Sequence, residues 1–137
     1  MKKKFLRNLS IVFVLALVIS LSGFSTQVSA QIKYSTVVSL SPGQTFSSYQ
    51  YELRNRAYVA AMVSPHTPGS VFSITLYGCD TIGGKRTLIG TYNQAYIGND
   101  LEATPVVDNG NNFRYYNIVV KNIGNITSNA TTGIYYD

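Results

Sequence analysis

The chain has 137 residues with eleven Lys and Arg, six Asp and Glu, a single His, a single Cys and no Trp. One thiol forms no internal bridge, so the disulfide framework of many small exported domains is excluded and stability must come from an apolar core. The formal charge of +5 suggests an anionic partner, but its distribution removes that reading.

"MKKKFLRN" carries Lys2, Lys3, Lys4 and Arg7 without an acid, and "LSIVFVLALVISLSGF" follows as an apolar run. "STQVSA" then places Val28, Ser29 and Ala30 as a small-residue exit before Gln31. Basic head, apolar middle and small-residue end describe a bacterial-type secretory signal peptide over residues 1–30, cleaved after Ala30. Four of the eleven basic residues leave with it and all six acids stay, which brings the remaining chain close to neutrality. No basic patch for nucleic acid survives. No later segment is apolar and long enough to span a bilayer as a helix, so no membrane role is expected after cleavage. Export to the extracellular space is the expected localisation.

Residues 31–137 suit one domain. Along them, chain-reversing pairs recur at short intervals: Pro42-Gly43, Arg54-Asn55, Pro68-Gly69, Gly83-Gly84, Gly98-Asn99, Asn109-Gly110 and Gly124-Asn125. The intervals leave room for strands rather than helices. Eight strands are predicted, near 32–40, 45–53, 57–64, 70–79, 85–92, 101–107, 112–122 and 130–136. "SSYQYEL" alternates Tyr49, Tyr51 and Leu53 with polar residues, and "SVFSITLY" alternates Phe72, Ile74 and Leu76 with Ser73, Thr75 and Tyr77, the period of a strand with one wet face. "AYVAAMV" and "YYNIVV" are apolar on both parities and read as central strands. Eight short antiparallel strands bury a core only as two packed sheets or a closed barrel, and the sandwich is favoured, so the expected fold class is an all-β, antiparallel two-sheet sandwich.

"LSPGQTFSSYQYEL", "AYVAAMV", "FSITLYGCD" and "FRYYNIVVKN" together resemble, in order and spacing, the small jelly-roll modules of the pre-peptidase C-terminal type that accompany secreted bacterial peptidases. The resemblance implies a jelly-roll-like sandwich that serves as a noncatalytic binding or solubilising module. Such modules usually carry an aspartate pair ahead of the Leu-x-Leu strand; here Ser70 and Ser73 stand there, so no calcium role is carried over.

The chemistry on offer is sparse. Cys79 as a nucleophile would need His66 as its base, with Asp80, Asp100 or Asp108 to orient it. Its other readings are an intermolecular Cys79-linked dimer and a small apolar filler at a strand end. His66, between Pro65 and Pro68, lacks the companions a metal site needs, so no metal and no cofactor is expected. Asp100 and Glu102 share a parity on one predicted strand, and a carboxylate pair is the minimum for a small secreted hydrolase. The Asn125 and Asn129 sequons lie in a stretch that reads as a polar loop.

Tyrosine is the outlier: all eleven lie after residue 30. A tyrosine ring keeps one polar end and a flat apolar face, and on a sheet exterior it stacks on sugars or protein surfaces at little entropic cost. Tyr77, Tyr92, Tyr96 and Tyr115, with mostly polar strand neighbours, are the candidates for an exposed binding set. The sequence therefore predicts a secreted, noncatalytic sandwich that binds an extracellular glycan, cell-surface or protein target. A self-assembling surface or biofilm matrix protein is the alternative from another class, and a small hydrolase the third.

Overall fold

The computed structural model describes residues 32–98, 105–109 and 112–137. The segment read as a signal peptide and the Asp100–Glu102 pair lie outside the described residues. Among the described residues there are nine strands and no helix: β1 (Ile32–Leu40), β2 (Thr45–Ser47), β3 (Tyr51–Glu52), β4 (Val59–Pro65), β5 (Val71–Cys79), β6 (Thr87–Ala95), β7 (Val106–Asp108), β8 (Tyr115–Asn122) and β9 (Ser128–Tyr136). They form two antiparallel sheets, one ordered β1-β9-β4-β7 and the other β2-β8-β5-β6 with β3 also on β8. With β2 and β3 counted as one interrupted strand, this is the eight-strand order of a jelly roll, in which the chain crosses repeatedly between the sheets.

The turn residues explain where the chain reverses. Gly43, Gly69, Gly83 and Gly98 have positive φ, and Asn55 has φ 62, the conformation glycine and asparagine tolerate best. Five of the predicted chain-reversing pairs thus supply the residue that their turn demands.

Period-two alternation places the core. Phe72, Ile74 and Leu76 from β5 and Ile118 and Val120 from β8 face Val59, Ala61 and Val63 from β4 and Ala130 and Ile134 from β9, all at 2% exposure or less. Both strands that read as central are central: β4 lies between β9 and β7, and β8 lies between β2 and β5.

One predicted strand is broken. Residues 45–53 form β2 and β3 with an interruption at 48–50, and the register explains it: Phe46 pairs with Val120 but Tyr51 pairs with Tyr116, so one residue is extra. Such a bulge flips the parity of everything beyond it. Phe46, Tyr51 and Leu53 all turn toward the core, whereas Tyr49, predicted on the same face as Tyr51, is 86% exposed. The Ser48 hydroxyl stabilises the break by accepting from the Ile118 amide at 3.0 Å. Asn129, read as part of a polar loop, lies instead in β9 opposite Ser39.

The sheets are also tied by polar groups. The Tyr116 hydroxyl on β8 crosses the interior and donates to Asp108 Oδ2 on β7 at 2.9 Å, and both side chains are buried. Phe113 packs edge-on against the Tyr116 ring, with centroids 6.1 Å apart. Its ring occupies the space that a Cβ at Gly78 would need. At the opposite end Asn122, fully buried, donates to the carbonyls of Leu40 and Ile126 and accepts from the Gly124 amide, clipping the β8–β9 loop to the end of β1.

Two outcomes follow. Gly78→Ala, which sets a methyl against Phe113, lowers unfolding free energy by about 1–3 kcal/mol in denaturant titration. Burial foremost, aided by the bond to Asp108, raises the Tyr116 phenol well above its ordinary value near 10. The folded state therefore holds its proton where the unfolded chain has released it. This stability is intact below pH ~10 and is lost as pH climbs further. Tyr116→Phe costs about 1–3 kcal/mol at neutral pH and flattens the alkaline decline; an unchanged decline would contradict the assignment.

Candidate functional site

The tyrosines sort by which sheet face their strand position selects. Tyr34 on β1 stands opposite Ile134, Tyr136 on β9 opposite Val59, and Tyr51 on β3 opposite Tyr116. Their partners belong to the buried interior, so all three rings point between the sheets, at the end where the apolar core runs out. There they meet. Tyr34 stacks on Tyr51 with centroids 4.1 Å apart and planes 16° from parallel, and Tyr136 lies 6.1 Å from Tyr34. Tyr51 and Tyr136 are half-buried against the core, while Tyr34 is 39% exposed. This is an aromatic cap drawn from both sheets with one ring open to water.

The β3–β4 turn supplies its charge. Arg54 and Arg56 flank the left-handed Asn55 and both are exposed. The Arg56 guanidinium carbon sits 4.4 Å from the Tyr136 ring centroid, a cation–π contact that orients the planar head. Desolvation, followed by the neighbouring Tyr136, raises the Tyr34 phenol above its usual value. The cap's chemistry is stacking and hydrogen bonding from the rings, with cationic donors alongside.

The four tyrosines selected from sequence do not share a surface. Tyr77 on β5 and Tyr115 on β8 lie on the outer face of the five-stranded sheet, where Tyr77 pairs with Asn117 and Tyr115 with Cys79. Arg86 stands over Tyr77 at 4.9 Å and Arg114 over Tyr115 at 5.3 Å. The expectation of exposure is corrected for Tyr115, which is 8% exposed. Tyr92 pairs with Ile74 and so projects toward the inner side of the edge strand β6, at 38% exposure. Tyr96 follows β6, half-buried, its amide bonded to the Ser70 carbonyl at 3.0 Å. Sequence reasoning missed the Tyr34–Tyr51–Tyr136 cap, because the bulge that turns Tyr51 inward and the pairing of β1 with β9 are long-range features.

Cys79 and His66 are not brought together. His66 lies in the turn before β5, hydrogen-bonded to the Thr131 hydroxyl at 2.8 Å, and Cys79 ends that strand, roughly 26 Å from its first residue at ~3.3 Å per residue. Cys79 is 2% exposed and Gln50 covers it, the amide donating to Sγ at 3.0 Å while Oε1 accepts from the Gly83 amide at 2.8 Å. Burial first, then Asp80, raises the thiol above its usual value, with Arg86 opposing. Among the described residues no three His, Cys, Asp or Glu side chains gather as a metal site would require. Removal of the Gln50 cover by Gln50→Ala is expected to speed Cys79 modification by a thiol reagent about tenfold over the slow wild-type rate; equal rates would show that Gln50 does not shield it.

No family model and no curated protein matches the chain. Among solved structures it is similar to the crystal structure of PirA, with a TM-score of 0.50 and 17% identity over 81% of this chain and the whole of that one, a likeness that concerns the fold alone.

Proposed function

We propose that the protein is a secreted, noncatalytic β-sandwich that binds an extracellular target, a glycan or a cell-surface or protein epitope, through tyrosines. The tyrosines that best support this reading are those of the cap: Tyr34, Tyr51 and Tyr136. The observation that carries it is the 4.1 Å stack of Tyr34 on Tyr51, held between two sheets with the Tyr34 ring partly open to water. A flat aromatic surface fixed by strands loses little entropy on engaging a ligand, which is the property that makes tyrosine effective in binding sites. The basic head and apolar run of the N-terminal segment support export, and the sparse titratable chemistry supports a role without catalysis.

A self-assembling surface or matrix protein is the second reading. It is favoured by β1 and β6, nine-residue strands at sheet edges in which Lys33 is the one charged residue. Long edges with few charges offer unpaired backbone groups to another strand.

In a glycan array and a pull-down from culture supernatant at micromolar protein, binding is expected to fall at least about tenfold for Tyr34→Ala while the melting temperature is retained, because Tyr34 is the most solvent-open ring of the cap. No binding in either format, or binding indifferent to Tyr34→Ala, overturns the reading. Oligomers that grow with concentration in light scattering would favour the second one.

A further inference from the structure

We propose that the aromatic cap selects sugars bearing a carboxylate, so that its ligand class is acidic polysaccharide rather than neutral glycan; the inference rests on the binding role proposed for the cap. Its basis is the pair of exposed guanidinium groups beside the stacked rings. Glu52, the nearest acid in the chain to the β3–β4 turn, is engaged by Arg114, whose Nε donates to its Oε1 at 2.8 Å. Among the described residues this is the ion pair that forms, and Arg54 and Arg56 stand outside it, exposed on either side of Asn55. Asp137 joins the same end through its carbonyl, which accepts from the Ala57 amide at 2.8 Å. The Glu52–Arg114 pair neutralises itself, and among the described residues neither Arg54 nor Arg56 has a carboxylate partner, so their guanidinium groups are the exposed, unpaired cations beside the cap.

The geometry gives the two parts of such a ligand separate places. A pyranose ring presents an apolar C–H face, which suits the open Tyr34 ring. The Arg56 guanidinium lies 4.4 Å from the Tyr136 ring centroid, and Tyr136 adjoins Tyr34 at 6.1 Å. A guanidinium held on an aromatic surface keeps its edge N–H groups available, and two parallel N–H donors match the two oxygens of one carboxylate. Arg54, two residues away, adds long-range attraction without needing direct contact. Two arginines and a near-neutral chain are too few for a polyphosphate backbone, whose affinity grows with the number of charges neutralised. A singly charged sugar unit is the anion of matching scale.

Titration calorimetry with trigalacturonate, its methyl ester and a neutral galactose trisaccharide tests this on the wild type, Arg56→Gln, Arg56→Lys and Tyr34→Ala. The acid is expected to bind at least about tenfold tighter than the ester, and added salt is expected to weaken the acid but not the ester. Arg56→Gln should abolish the difference, Arg56→Lys should restore part of it, and Tyr34→Ala should weaken all three ligands, with melting temperatures unchanged. Equal affinity for acid and ester, an Arg56→Gln variant that still discriminates, or no binding of the acid overturns the inference. If a neutral sugar or a protein target binds with dependence on Tyr34 while the acid gains nothing, the selectivity proposed here fails and the binding role of the cap stands. Binding of any ligand unaffected by Tyr34→Ala removes both.

Discussion

The apolar layer between the two sheets carries this fold without covalent help, since a chain with one cysteine cannot cross-link itself. A domain of this size can rest on its hydrophobic core alone when that layer is continuous and closely packed. It achieves this with strict alternation: β5 gives Phe72, Ile74 and Leu76 to the interior, and Ser73, Thr75 and Tyr77 to the outside. Where the layer thins, buried polar groups take over the connection between the sheets. The Tyr116–Asp108 bond lies at the level of the aromatic cap, because Tyr116 pairs with Tyr51 and Val59 pairs with both Asp108 and Tyr136. Polar tie and cap share the end level of one stack, and the cap's geometry depends on the tie beside it and the core beneath it.

This dependence explains the choice of tyrosine at the end of the sandwich. A phenylalanine at the last inward position would expose apolar surface without a polar group to meet water, and a charged residue would abandon the core below. Tyrosine covers the core with its ring and reaches solvent with its hydroxyl. Three such residues converge because three strand ends converge, two from one sheet and one from the other.

The elements of the fold were largely legible in the sequence, and the site was not. Turn pairs such as Pro42-Gly43 and Pro68-Gly69 mark reversals through local backbone requirements, which a sequence states directly. Alternation in 70–79 likewise declares which residues face inward. Tyr115 shows the limit. Its neighbours are mixed, and nothing local reveals that Arg114 and the Gln50–Gly83 bridge crowd the outer face where Tyr115 and Cys79 lie side by side. Tyr49 shows another: a single extra residue between Phe46 and Tyr51 reverses the parity, and no signal in "SSYQYEL" announces it. Faces covered by segments distant in sequence, and registers set by a partner strand, are properties of the assembled sheet.

Rigidity divides the cap into two parts with different consequences. The rings of Tyr34, Tyr51 and Tyr136 belong to strands whose backbone is paired within the sheets, so their mutual spacing is set before any ligand arrives. Arg54 and Arg56 belong to a turn, steadied by the Leu53 amide on the Arg114 carbonyl and the Ala57 amide on the Asp137 carbonyl. Fixed rings spare a ligand the entropy of ordering its stacking surface, whereas long side chains on a turn adapt at some cost. An arginine resting on Tyr136 has already given up part of that freedom. Shape therefore resides in the strands and charge in the turn. In the binding role proposed above, substitution of Arg54 or Arg56 would change the charge offered to a ligand, while Asn55, with φ 62, holds the turn that presents them.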